Sequence, residues 1–189
     1  IFLIASCNGG NPDTDQLKDS KTHSMSFTTL TAEESGIHFT NAITETDSFN
    51  LFNYEYMYNG GGVAAGDINN DGLTDLYYTG NQVSDKLYLN KGNLKFEDIT
   101  EKAIGPKANE GWRTGVVMVD INNDGFLDIY VSRSGLPSDK NLLANLLYIN
   151  NGDLTFTEQG AEYGVDVKKN TTQSAFFDYD NDGDLDLYV

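Results

Sequence analysis

Three nine-residue segments concentrate the oxygen donors of this chain. They are Asp67-Ile68-Asn69-Asn70-Asp71-Gly72-Leu73-Thr74-Asp75, Asp120-Ile121-Asn122-Asn123-Asp124-Gly125-Phe126-Leu127-Asp128 and Asp178-Tyr179-Asp180-Asn181-Asp182-Gly183-Asp184-Leu185-Asp186. All fit Asp-x-[Asp/Asn]-x-Asp-Gly-x-x-Asp. Side-chain oxygens at positions 1, 3 and 5 (Asp67, Asn69, Asp71; Asp120, Asn122, Asp124; Asp178, Asp180, Asp182) converge only if the backbone curls around one point. Glycine at position 6 permits that curl, because it has no Cβ to oppose a positive φ. The carbonyl of position 7 (Leu73, Phe126, Asp184) then faces the same point, and Asp75, Asp128 and Asp186 at position 9 close the shell. Hard oxygen ligands in a flexible loop suit Ca²⁺ better than Mg²⁺ or zinc. The expectation is one Ca²⁺ per loop, three in all. Turn chemistry explains a single Asn-Asp-Gly. It does not explain Asp at positions 1 and 9 three times over.

Known calcium loops narrow the architecture. An EF-hand needs Glu at position 12 and helices on both sides; position 12 here is Tyr78, Val131 and Val189. A dockerin-type loop fails on the same position, and thrombospondin-type calcium repeats are shorter and Cys-rich.

The flanks of the loops read as strands. Gly62–Asp67, Thr114–Asp120 and Gln173–Asp178 lead in, and Leu76-Tyr77-Tyr78, Ile129-Tyr130-Val131 and Leu187-Tyr188-Val189 lead out. A third strand carries Leu-Tyr-x-Asn (Leu87–Asn90, Leu147–Asn150) and ends at a Gly-containing turn. A fourth begins at Phe96 or Phe156. The expected organisation is therefore repeated four-stranded units at about 60–105, 112–165 and 172–189, an all-β propeller of which two to three blades are present. Ser132–Asn145 holds a loop insertion. Phe27–Thr31 followed by Gly36 resembles Phe96–Thr100 followed by Gly105, which predicts a lone strand near 26–31. In a propeller such a strand completes the last blade and removes an exposed edge.

Composition excludes several functions. The 189 residues carry 12 Lys+Arg against 29 Asp+Glu, a formal net charge of −17. Such a surface repels nucleic acid and anionic lipid. Hydrophobic residues at 39% are too many for a disordered acidic tail. The single cysteine and two histidines rule out multi-Cys or His-rich metal sites. Catalytic chemistry has little context: the paired aspartates are committed to the loops, and His23, His38, Glu55 and Glu110 are isolated. Gly60–Gly62 is not a phosphate loop, for no Lys-Ser/Thr follows. Recognition would fall to inter-strand loops and to aromatics such as Trp112, Tyr54, Tyr56 and Tyr58. For Trp112 the competing role is packing between units.

The first seven residues, Ile1-Phe2-Leu3-Ile4-Ala5-Ser6-Cys7, resemble the end of a bacterial lipoprotein signal peptide whose start is missing. Cys7 would be the lipidated residue, and residues 8–23 a flexible tether. The membrane would then be met only through that anchor, with the protein extracytoplasmic, at the outer membrane or cell surface.

The triple loop, the Gly60–Asp67 lead-in and the Leu-Tyr-x-Asn-x-Gly strands are similar to FG-GAP/VCBS repeats, the calcium-binding blades of integrin-α-type propellers. The closer likeness is to bacterial lipoproteins of the cartilage-acidic-protein (ASPIC/UnbV) type, over residues 24–189. That resemblance implies a seven-bladed ring with a further C-terminal domain. It also implies a non-enzymatic calcium-binding scaffold for a protein or glycan ligand. The alternatives are part of a propeller-based polysaccharide lyase or hydrolase, or an integrin-like adhesion module.

Overall fold

A computed structural model describes residues 27–137 and 139–189. Cys7 and the tether at 8–23 lie outside the described residues. Two four-stranded antiparallel meanders dominate. The first runs β1 (Val63–Gly66), β2 (Asp75–Tyr78), β3 (Lys86–Asn90) and β4 (Phe96–Asp98). The second runs β5 (Trp112–Val119), β6 (Asp128–Ser134), β7 (Leu146–Asn150) and β8 (Phe156–Glu158). A two-stranded hairpin of β9 (Ala175–Phe177) and β10 (Asp186–Tyr188) begins a third unit in the same way. Each nine-residue segment joins the first two strands of its unit, as the sequence implies.

The sheets stack in chain order, and period-two alternation decides which side chain faces which neighbour. Ile129, Val131, Leu146 and Tyr148 of the second sheet share a core with Tyr77, Leu87 and Leu89 of the first. Tyr130, Leu147 and Ile149 point the other way and pack with Phe176 and Leu187 of the third unit. Both faces of β6 and β7 are therefore covered, and every residue of these strands is buried. This explains why apolar residues stand consecutively at Ile129–Val131 and Leu146–Ile149 rather than alternating with polar ones. Consecutive blade-like sheets around a common inner edge are the propeller-like arrangement.

The inner strands approach closely. A Cβ on Gly62 would meet Thr114 O at 2.8 Å and Gly115 Cα at 3.1 Å, and one on Gly115 would meet Thr172 O at 2.5 Å. The position five residues before each loop is thus glycine in the first two units because the next backbone occupies the space of a side chain.

Buried polar locks tie one unit to the next. Asp85, at the start of the third strand, accepts from Tyr77 Oη (2.8 Å) and Gly80 N (2.8 Å), and from Arg113 Nε of the following unit (2.8 Å). Arg113 and Asp85 are 1% and 0% exposed. Asn145 holds the same place in the second unit: its Nδ2 donates to Tyr130 Oη (3.0 Å) and its Oδ1 accepts from Arg133 N (2.8 Å). The following unit answers with Thr171, whose hydroxyl donates to Asn145 Oδ1 at 2.7 Å. One lock is ionic and the other neutral, on one geometry.

Two expectations need correction. Residues 27–31 form no strand; Thr31 instead caps a four-residue helix, α1 (Ala32–Ser35), through a capping box with Glu34. A strand needs a hydrogen-bonding neighbour, and none pairs with this segment among the described residues. The likeness to the first unit survives in the turn that follows. There α2 (Thr100–Ala103) is a comparable helical turn, and Gly36 and Gly105 have φ of 80° and 70°. The insertion also starts later than Ser132, because β6 continues to Ser134 before a 3₁₀ turn at Lys140–Leu143.

Candidate metal loops

Each loop is an internally hydrogen-bonded cage. In the first, Asp67 Oδ2 accepts from Gly72 N (2.7 Å) and Asp67 Oδ1 from Asp71 N (3.2 Å). Asp71 Oδ1 accepts from Leu73 N at 2.8 Å. The second loop repeats this pattern: Gly125 N to Asp120 Oδ2 at 2.8 Å, Asp124 N to Asp120 Oδ1 at 3.0 Å, Phe126 N to Asp124 Oδ1 at 2.9 Å. The third keeps Gly183 N to Asp178 Oδ2 at 3.1 Å and Asp184 N to Asp182 Oδ1 at 3.1 Å. Position-6 glycines have φ of 83°, 89° and 95°, as the curl requires.

A fourth position also matters. Asn70, Asn123 and Asn181 adopt φ of 60°, 57° and 61°. Asparagine is the residue besides glycine that tolerates the left-handed region best. The signal was Asn at position 4 of all three copies, which reasoning from ligand positions alone passes over.

Position 9 ties the loop to the sheet. Asp75 is fully buried; its Oδ2 accepts from Ile68 N (3.0 Å) and its Oδ1 from Asn90 N (2.7 Å). Asp128, also fully buried, accepts from Ile121 N (3.0 Å) and Asn150 N (2.8 Å). Asp186 accepts from Tyr179 N at 2.7 Å. The backbone N–H at the asparagine of the Leu-Tyr-x-Asn strand therefore holds the closing aspartate, while its side chain ties down the carbonyl of loop position 8, Thr74 O at 2.8 Å and Leu127 O at 3.1 Å.

Electrostatics favour a cation here. Burial pushes the carboxyls of Asp75 and Asp128 above the usual range; backbone hydrogen bonds oppose this, and the neighbouring loop carboxylates add to it. Asp184 is raised chiefly by Asp182 beside it. In the third loop, carboxylate oxygens of Asp178, Asp180 and Asp186 lie within 4.8 Å of one another. In the first two loops position 3 is Asn69 or Asn122, each donating to the position-5 carboxylate at 3.0 Å and 2.9 Å.

The family model for the FG-GAP-like repeat matches residues 67–131 and 138–189, beginning at the first ligand-position aspartate. The chain belongs to the FG-GAP-like repeat family. Among known proteins, cartilage acidic protein 1 of Mus musculus and of Homo sapiens are each 29% identical to it over 134 residues. Those alignments cover 69% of this chain and 20% of theirs, so the chain spans about a fifth of the length of the curated relatives it matches.

The FG-GAP sheets also frame a cavity. It has a volume of about 720 Å³ and lies where Gly60–Gly62, Thr114, Gly115 and Gln173 approach one another, beneath the 52–59 segment. Of the aromatics expected to be available, Tyr56 and Tyr58 are 54% and 59% exposed. Trp112 and Tyr54 are not: they are buried with Met57 and Phe49 in a satellite cluster, with Tyr54–Trp112 ring centroids 5.6 Å apart. Phe52, 99% exposed, was not singled out by its sequence context. Glu55 lines the cavity, and Glu110 stands 3.9 Å from the guanidinium of the buried Arg133.

Proposed function

We propose that this FG-GAP segment is part of a non-enzymatic, calcium-stabilised extracytoplasmic scaffold that binds a protein or glycan ligand. The observation that carries the reading is the convergence of Asp178, Asp180 and Asp186 within a loop whose cage is repeated twice more. The donor set fits Ca²⁺: in each loop, three side-chain oxygens at positions 1, 3 and 5, the position-7 carbonyl and the position-9 aspartate would hold it. When bound, the ion neutralises crowded carboxylates and fixes the turn between the first two strands of a blade. Extracellular modules bind Ca²⁺ with Kd of about 10⁻⁴–10⁻³ M, so the fold would respond to free calcium by mass action. Inter-strand loops and the surface around Phe52, Tyr56 and the cavity would carry recognition. A lipid on Cys7 would be the membrane attachment, and the net charge of −17 opposes nucleic acid as a partner.

The test is thermal melting of the full chain with 2 mM CaCl₂ against excess EGTA, alongside elemental analysis. The expected result is a clear fall in Tm on chelation, reversed by calcium and not by equimolar magnesium. Equal melting temperatures with no metal bound would overturn the reading.

A further inference from the structure

We infer that calcium occupancy of the first loop is coupled to that of the second, through Asn150 and Asn70 acting as positioning residues; this rests on the calcium reading above. The two loops belong to different blades, yet they share a continuous hydrogen-bonded path. Asp75 Oδ2 accepts from Ile68 N at 3.0 Å. Ile68 O accepts from Asn150 Nδ2 at 2.8 Å. Asn150 N donates to Asp128 Oδ1 at 2.8 Å. The closing aspartates of the two loops are thus joined through the backbone N–H and C=O of Ile68 and the side chain and backbone N–H of Asn150. Ile68 and Asn150 are 1% and 3% exposed, so water does not compete for these bonds. Asn150 also donates to Leu127 O of its own loop at 3.1 Å.

Two further contacts join the same pair of loops. Asn70 Nδ2, at the left-handed position of the first loop, donates to Gly125 O of the second at 2.9 Å. Leu127 of the second loop packs on the end of β1, where a Cβ added to Gly66 would meet Leu127 Cδ1 at 2.6 Å. Asn90 supplies an internal comparison. It makes the same bonds within its own unit, to Asp75 Oδ1 at 2.7 Å and Thr74 O at 2.8 Å, with no bond to another loop among the described residues. The reach of Asn150 into the neighbouring blade is therefore additional to the work of holding Asp128.

The sign of the coupling follows from ordering. A cation that fixes the second loop fixes Gly125 O, Leu127 and the Asn150 amide, and with them Ile68 and the Asn70 side chain. The first loop then loses less conformational freedom when it takes its own ion, which makes the coupling positive. Coupling is reciprocal for binding, so the second loop gains equally from the first.

The experiment reads each loop separately. Hydrogen exchange followed by mass spectrometry on the full chain, across graded free Ca²⁺, gives protection midpoints for peptides covering 67–75 and 120–128. Asp124→Ala removes a ligand of the second loop. Coupling predicts that it moves the midpoint of the first loop to about fivefold higher calcium or more. Asn70→Gly, which removes the side-chain donor and keeps the φ of 60° without strain, is expected to shrink that shift with both loops still able to protect. An unchanged first-loop midpoint in Asp124→Ala overturns the coupling and leaves the calcium reading intact. Absence of calcium-dependent protection in either loop of the unaltered protein overturns both.

Discussion

Asp85 and Asn145 occupy one structural position with different chemistry, and the difference sets what each can tolerate. Burial pushes the Asp85 carboxyl up, and the Arg113 guanidinium opposes that shift. Removing one partner of a buried ion pair leaves the other charge desolvated, at about 3–5 kcal/mol. Asp85→Asn is therefore expected to destabilise strongly even though Asn fits the site. Adding Arg113→Thr recreates the Asn145–Thr171 lock and should return most of the loss in urea titrations; a double variant no more stable than Asp85→Asn would contradict the equivalence. Arg133 presents the opposite case. Among the described residues its Nε and Nη2 are buried without hydrogen-bond partners, the acid beside it is the half-exposed Glu110, and burial lowers its pKa. Replacing such a charge by an apolar side chain of similar length is neutral or stabilising. Arg133→Met should unfold at the same urea concentration as the unaltered protein or a higher one, and a lower midpoint would show that the guanidinium contributes. None of this was legible in the sequence. Asp85 sits in Ser84-Asp85-Lys86, which reads as a solvated hairpin end, and its counterpart is not an acid.

Among the elements, the strands were legible because each loop motif fixes where one strand stops and the next begins. Asp67 follows β1 directly and Asp75 opens β2, with the same placement at Asp120 and Asp128 around the second loop. The outer strands followed from Leu-Tyr-x-Asn and Phe. The expected strand near 26–31 failed because local resemblance cannot supply a pairing partner, and the Thr31–Glu34 capping box favoured a helical turn. Spacing between neighbouring sheets was not legible either, although its trace is visible in hindsight at Gly62 and Gly115. Gly115→Ala places a methyl 2.5 Å from Thr172 O, against backbone that has little room to move. Overpacking of this kind costs about 1–3 kcal/mol. Gly72 has open space around its Cβ position, so Gly72→Ala carries only the strain of a φ of 83°, about 1–2 kcal/mol. The two differ in calcium dependence. The Gly115→Ala loss should be the same in EGTA and in calcium, whereas the Gly72→Ala loss should grow in calcium, since it distorts the metal cage. Identical calcium dependence of the two variants would argue against that division between packing glycine and loop glycine.

For the molecule as a whole, the excess of acids is a stability problem that the loops both create and answer. Ten of the 29 acidic residues stand at side-chain ligand positions of three loops. Three divalent ions would cancel six of the seventeen excess negative charges. Without them the acids repel at short range, as the upward shift of Asp184 beside Asp182 shows; at Asp75 and Asp128, where burial is the main cause of the shift, the neighbouring loop carboxylates add to it. Salt screens exposed charges beyond about 10 Å at 0.1 M, yet it reaches clustered or partly buried carboxylates poorly. Chelated protein should therefore gain Tm on going from 20 mM to 500 mM NaCl, but less than calcium gives. At free calcium about tenfold above Kd, each site adds about 1.4 kcal/mol by mass action. Three such sites correspond to a Tm rise of roughly 8–16 °C for a domain of this size. In saturating calcium the NaCl gain should shrink, because the repulsion it relieves has already been neutralised. A salt response of equal size with and without calcium would locate the destabilising charge elsewhere on the surface, and would separate the acidity of this chain from its loops.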